Sequence, residues 1–149
     1  MRYLITGGAG FIGSNLVSGI LERNAEAEIT VFDNLSSNAL DFDELSRIRG
    51  VKCVEGDIRN GDLVQNVVRG HDVVFHLAAQ TGVAGSERDP IFDCEMNVLS
   101  SLRLLSAASA AGCSSFVAAS SNACLGDVET PFNEMSLPRP VSCYGVSKL

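Results

Sequence analysis

Seven residues near the amino terminus, Gly7-Gly8-Ala9-Gly10-Phe11-Ile12-Gly13, constrain this chain more than any others. They follow an apolar segment of strand character, Arg2–Thr6 (RYLIT), and open a helical pattern that runs from Gly10 to Arg23. A strand, a glycine turn and a helix in that order begin a βαβ unit. Glycine allows a tight turn and lets backbone approach a neighbour where any Cβ would intrude. The helix start adds N–H donors and a partial positive charge, so the backbone itself can hold an anion. Such a turn can be purely structural. The strand before it and the helix after it favour a dinucleotide pyrophosphate.

Composition narrows the class. The 149 residues suit one domain with a real core, expected to span 1–149. At 46% hydrophobic and 19% charged, the chain is too apolar for a disordered segment. Its most apolar stretch, Val73 to Ala79, is interrupted by His76 and falls far short of the roughly 20 residues a bilayer span needs. No leader-like segment precedes the first strand, so a soluble, cytoplasmic protein is expected. With 11 basic against 18 acidic residues and a net charge of −7, no nucleic-acid footprint is visible. Five scattered cysteines without a C-x-x-C pair read as free thiols, and no metal is expected.

Further along, strands and helices alternate. Glu28–Asp33, Val51–Glu55, Asp72–Leu77 and Ser115–Ser120 read as strands. Helices are expected over Asp41–Ile48, from an Asn60 cap to Arg69 with Gly70 as the stop, and from an Asp89 cap with Pro90 first to Gly112. In the first helix, Ile12, Leu16, Val17, Ile20 and Leu21 share the spacing of one buried face. Asp127–Pro140 reads as a loop, and a last helix starts near Tyr144. The pattern specifies an α/β protein, a Rossmann-type doubly wound parallel sheet of order 3-2-1-4-5, with its ligand at the switch point between strands one and four. Asp33 ends the second strand twenty positions after Gly13. A carboxylate there accepts from both adenosine ribose hydroxyls and repels a 2′-phosphate, and no arginine follows it, so NAD is expected over NADP.

Taken together, TGGAGFIGSNL (6–16), DNLS (33–36), GDIRN (56–60), HLAAQTGV (76–83), SSNA (120–123) and YGVSK (144–148) stand in a familiar order. The chain resembles the extended short-chain dehydrogenase/reductases, in particular the nucleotide-sugar epimerase/dehydratase group that includes UDP-glucose 4-epimerases. The resemblance implies that Gly7, Gly10, Phe11, Ile12 and Gly13 line the pyrophosphate and that Asp33 and Asn34 hold the adenosine ribose. It implies that Asp57 and Ile58 flank the adenine and that Leu77, Ala78 and Ala79 run beside the cofactor, braced by Asn97. Ser121, Tyr144 and Lys148 are the implied catalytic set, the last two also touching the cofactor. Thr81 and Ser86 are candidates to face the sugar.

The chemistry asks for these residue types. Oxidising a sugar alcohol needs a base, and a free phenol, at a pKa of about 10, is too weakly acidic to serve at neutral pH. Tyr144 and Lys148 stand four apart, on one face of a helix, where an ammonium favours the phenolate. Ser121 can hydrogen-bond the reacting oxygen. Family dehydratases carry an Asp-Glu pair after that serine; here Asn122-Ala123 follows. Epimerisation at C4 of a nucleotide sugar through a 4-keto intermediate is therefore expected, with a 4-keto reductase or a non-catalytic NAD-binding module as the alternatives. The family also implies a homodimer and a C-terminal substrate domain, which this chain, ending just after Lys148, is expected to lack. Cys124-Leu125-Gly126 and Cys143 depart from the family pattern close to the substrate, which leaves the sugar open.

Overall fold

The computed structural model describes residues 1–37 and 41–149. Five strands, β1 (Arg2–Thr6), β2 (Glu28–Asp33), β3 (Val51–Glu55), β4 (Val73–His76) and β5 (Ser115–Ala118), pair in parallel in the order β3-β2-β1-β4-β5. This is the sheet the sequence predicts. At its centre Leu4 lies between Thr30 and Val74, and Ile5 between Val31 and Phe75. Leu4, Ile5, Val31 and Val74 are fully buried, as continuous apolar strands in a parallel sheet must be.

The chain forms two compact units. One comprises Met1–Ala78 with Leu102–Ala118, the other Ala79–Ser101 with Ala119–Leu149. The first holds the sheet, α1 (Phe11–Arg23), α2 (Phe42–Ser46) and α3 (Gly61–Val68). Its core joins Ile5, Val17, Ala27, Ile29, Val31 and Leu45, with Leu16, Ile20 and Leu21 packed against them. Ile12 is the exception to the predicted face: it is 63% exposed, because Gly13 takes the contact with the turn at that level of the helix. The predicted signals bound α3 as expected. The Asn60 side chain accepts from the Leu63 N–H, and Gly70 adopts φ +80° two residues beyond the helix.

The second unit holds α4 (Val83–Arg88), α5 (Pro90–Cys94), the start of α6 (Ser100–Ala110) and α7 (Cys143–Ser147). The long helix expected from Asp89 to Gly112 begins and ends at those residues: Asp89 accepts from the Phe92 N–H, Pro90 is first, and Gly112 turns with φ +77°. Its middle is different. Glu95–Leu99 form a π-helical turn between α5 and α6. Ser100 donates both its backbone N–H and its hydroxyl (2.7 Å) to the Glu95 carbonyl, and Ser101 Oγ donates to Asn97 O at 2.6 Å. Hydroxyls that satisfy carbonyls in this way stabilise the wider turn, which apolar periodicity does not register. The short helix α4 also goes unannounced by the sequence pattern; its N-cap is Gly82, which brings no capping side chain. Among the described residues no helix is long and apolar enough to cross a membrane.

Candidate active site

In the first unit, β1 delivers the chain into the glycine turn. Gly7 adopts φ +70°, and a Cβ placed there would lie 2.6 Å from Ala78 N and 2.7 Å from Leu77 C. The turn therefore runs hard against the exit of β4, which only glycine permits. Gly10 N donates to Gly7 O at 3.1 Å, closing the bend, and a Cβ on Gly13 would strike that same carbonyl. Gly10 is the N-cap of α1 and offers no side-chain acceptor. The first-turn side chains Phe11 and Ile12 stand out in solvent. A helix start with an uncapped first turn and glycine-walled approach is the local structure a diphosphate requires.

Asp33 closes β2 with both carboxylate oxygens aimed inward. Oδ2 accepts from Ala9 N at 3.0 Å and Oδ1 from Leu35 N at 2.9 Å. The second contact accompanies a left-handed backbone at Leu35 (φ +58°), a conformation unusual for a leucine. Each carboxylate oxygen keeps further acceptor capacity. Asn34 and Asp57, which sequence separates by 23 positions, meet: Asn34 Nδ2 donates to Asp57 Oδ2 at 3.4 Å. The Arg59 guanidinium also donates to Asp57, at 3.0 Å from Nε and 2.8 Å from Nη2, and its hydrogen bonds hold that carboxyl well below the usual range, at about 2. Ile58 is buried. Beneath the turn, Thr6 Oγ1 lies 2.8 Å from His76 Nδ1 and accepts from Ala78 N at 3.3 Å.

In the second unit the chain that leaves Ala79 is clamped by Asn97. Its Oδ1 accepts from Gln80 N at 2.9 Å, and its Nδ2 faces Gln80 O (3.1 Å), Asp93 Oδ1 (3.0 Å) and Ser147 Oγ (3.1 Å). Asn97 sits in the π-helical turn, so the widened helix presents a buried amide that ties three segments together. On α7, Lys148 N donates to Tyr144 O at 3.1 Å, which confirms one helical turn between the two residues. The segment carrying Ser121 packs alongside. Ser120 Oγ donates to Lys148 O at 3.0 Å, and Gly145 leaves room for the Ala123 carbonyl, 2.5 Å from where a Cβ would be. Ser121 caps the short 3-10 turn Asn122–Cys124, accepting from Ala123 N at 3.2 Å, and its hydroxyl proton remains to donate. Burial pushes the Lys148 ammonium below the ordinary lysine value, against the opposing pull of Cys124 and Asp93.

Ser86, a sequence candidate to face the sugar, is fully buried instead: its hydroxyl donates to Val83 O at 2.7 Å and accepts from Tyr144 N at 2.9 Å. The neighbouring Glu87 accepts from Cys143 N at 2.9 Å. No local pattern marks either residue, since their partners lie 58 and 56 positions away.

A doubly wound parallel sheet with a glycine turn after β1, an acid at the end of β2 and a Tyr-x-x-x-Lys helix defines a dinucleotide-binding protein of Rossmann type. Residues 4–149 match the family model described as GDP-mannose 4,6 dehydratase, and the chain belongs to that family of nucleotide-sugar-modifying enzymes. A dTDP-glucose 4,6-dehydratase of Streptomyces niveus is 37% identical over 155 residues, covering 99% of this chain and 46% of the relative. The solved UDP-glucose 4-epimerase of Thermus thermophilus, a complex with NAD, superposes with a TM-score of 0.86 at 37% identity, over 99% of this chain and 47% of that one. The UDP-Glc/GlcNAc 4-epimerase of Campylobacter jejuni gives 0.90 at 30% identity, over 99% and 45%. The chain thus spans about half the length of the relatives it matches.

Proposed function

We propose that this chain is the NAD-binding and catalytic part of a nucleotide-sugar 4-epimerase, with residues 1–149 acting as one dinucleotide-binding domain. The glycine turn supports the cofactor assignment: its walls are backbone, and a Cβ at Gly7 or Gly13 would fill it. Gly7, Gly10, Phe11, Ile12 and Gly13 would hold the pyrophosphate, Asp33 and Asn34 the adenosine ribose, Asp57 and Ile58 the adenine. Leu77, Ala78 and Ala79 would border the nicotinamide half, with Asn97 fixing the segment that follows. Bound NAD supplies the hydride acceptor and, once reduced, the donor.

The chain's own residues do the rest. Tyr144 Oη takes the proton of the C4 hydroxyl and returns it after the 4-keto sugar has presented its other face. Lys148 favours the anionic phenolate electrostatically and would hydrogen-bond the nicotinamide ribose. Ser121 donates its free hydroxyl proton to the reacting oxygen. The observation that supports this reading is the packing of the segment that holds Ser121 against α7, the helix of Tyr144, through Ser120 Oγ on Lys148 O and the Ala123 carbonyl on Gly145. Asn122 and Ala123 bring no acid there, which favours epimerisation over water elimination.

A homodimer in a cytoplasmic setting belongs to the same proposal; Leu102 and Leu105 leave apolar surface on α6. The test is interconversion of UDP-glucose and UDP-galactose, followed by proton NMR, in the protein that carries this chain. Tyr144→Phe lowers kcat by about 100-fold or more with NAD still bound. NAD binding without turnover of any UDP-sugar would favour a non-catalytic module, and net consumption of NADH with a 4-keto sugar a reductase.

A further inference from the structure

Helix α7 is five residues long, too short to hold its own direction in water. The phenol that the proposed reaction depends on is nevertheless carried on its first turn. Three N–H groups of that turn need acceptors, and three side chains supply them. Ser142, the N-cap, takes the Gly145 N–H at 3.0 Å. The other two come from consecutive residues of α4: Glu87 Oε1 takes the Cys143 N–H and Ser86 Oγ the Tyr144 N–H, each at 2.9 Å. Ser86 cannot turn away, because its own proton is held by Val83 O and its side chain is wholly buried. Two adjacent side chains on one helix therefore grip two adjacent amides on another, which fixes α7 both along its axis and about it.

We propose that Ser86 and Glu87 are positioning residues for the Tyr144 phenol. The proposal rests on the epimerase reading.

The experiment uses the protein that carries this chain, as wild type and as Ser86→Ala, Glu87→Ala and Glu87→Gln. Ser86→Ala and Glu87→Ala lower kcat by about tenfold or more, since displacement of a reacting group by less than 1 Å has effects of that order. KM for the nucleotide sugar and the affinity for NAD stay within about twofold, because neither residue touches a ligand in this reading. Glu87→Gln keeps the acceptor and restores kcat to within about twofold of wild type. Equal kcat in wild type and Glu87→Ala overturns the positioning role, as does an equal fall in Glu87→Ala and Glu87→Gln. If the wild-type protein turns over no UDP-sugar, the epimerase reading fails, and the clip is then read from amide hydrogen exchange: faster exchange at Cys143 in Glu87→Ala and at Tyr144 in Ser86→Ala supports it, and unchanged rates overturn it.

Discussion

Replacing Gly7 by alanine tests the glycine turn most directly, because the same substitution twelve residues later has the opposite sign. At Gly7 the backbone is left-handed, φ +70°, which burdens an L-residue by about 1–2 kcal/mol. The new methyl would lie 2.6 Å from Ala78 N and 2.7 Å from Leu77 C. Both are backbone atoms of the β4 exit and cannot rotate aside, so the turn and the strand must separate by about 0.8 Å to reach ordinary contact at 3.4 Å. Overpacking of that kind destabilises by about 1–3 kcal/mol. The two effects together give a loss of about 2–5 kcal/mol. Gly19, inside α1, has nothing within 4 Å of its Cβ position, and alanine there gains about 0.5–1 kcal/mol of helix stability. Urea unfolding followed by circular dichroism separates the two variants by about 2 M in midpoint, for a slope of about 2 kcal/mol per molar. A Gly7→Ala midpoint at or above that of wild type would show that the turn relaxes freely and that the close approach to β4 is no constraint.

Two further outcomes follow from titrating groups. Asp57 is held at about 2 by Arg59, below its usual 3.8, so its stabilisation is fully present above about pH 4 and is lost as pH falls towards 2. For this partly exposed pair the contribution is about 1 kcal/mol; Arg59→Met removes it at pH 7, and the difference in urea midpoint between variant and wild type closes near pH 2, whereas a constant difference across that range contradicts the account. His71 is half-buried, with Nδ1 against Val68 O at 3.2 Å and Nε2 against Thr30 Oγ1 at 2.9 Å, and burial lowers its pKa from 6.5. The unfolded chain then binds the proton first, so stability is complete above about pH 6.5 and declines as pH falls through the interval down to the folded value. An NMR titration of the His71 ring places its midpoint below 6.5; a midpoint at or above that value refutes the burial argument.

The sheet is legible in the sequence because its signals are local. Runs such as Tyr3–Ile5 and Val73–Phe75 are apolar without alternation, and the helices between them announce their ends through Asn60, Asp89, Pro90 and Gly112. The glycine turn and Asp33 are legible for the same reason, each lying beside the element it serves. The contacts that shape the tyrosine helix are not. Ser86 meets Tyr144 across 58 positions and Asn97 meets Ser147 across 50, and neither pairing leaves a trace in the spacing of residues nearby. The π-helical turn escapes notice because one wider turn barely disturbs the apolar pattern, and the serine hydroxyls that satisfy its carbonyls, Ser100 and Ser101, leave no periodic mark. Periodicity misplaces Ile12 on the buried face because it counts residue types and not the level at which a helix first meets its sheet.

The bond from Ala9 to the end of β2 bears on any attempt to redesign the nucleotide preference. Exchanging Asp33 for a small neutral residue is the obvious route towards accepting a 2′-phosphate, yet Asp33 also accepts the Ala9 amide and fastens the left-handed Leu35. Such a variant would slacken the loop meant to grip the new dinucleotide at the moment its selectivity changed, so a successful switch must install a substitute acceptor for the Ala9 N–H together with the new cation.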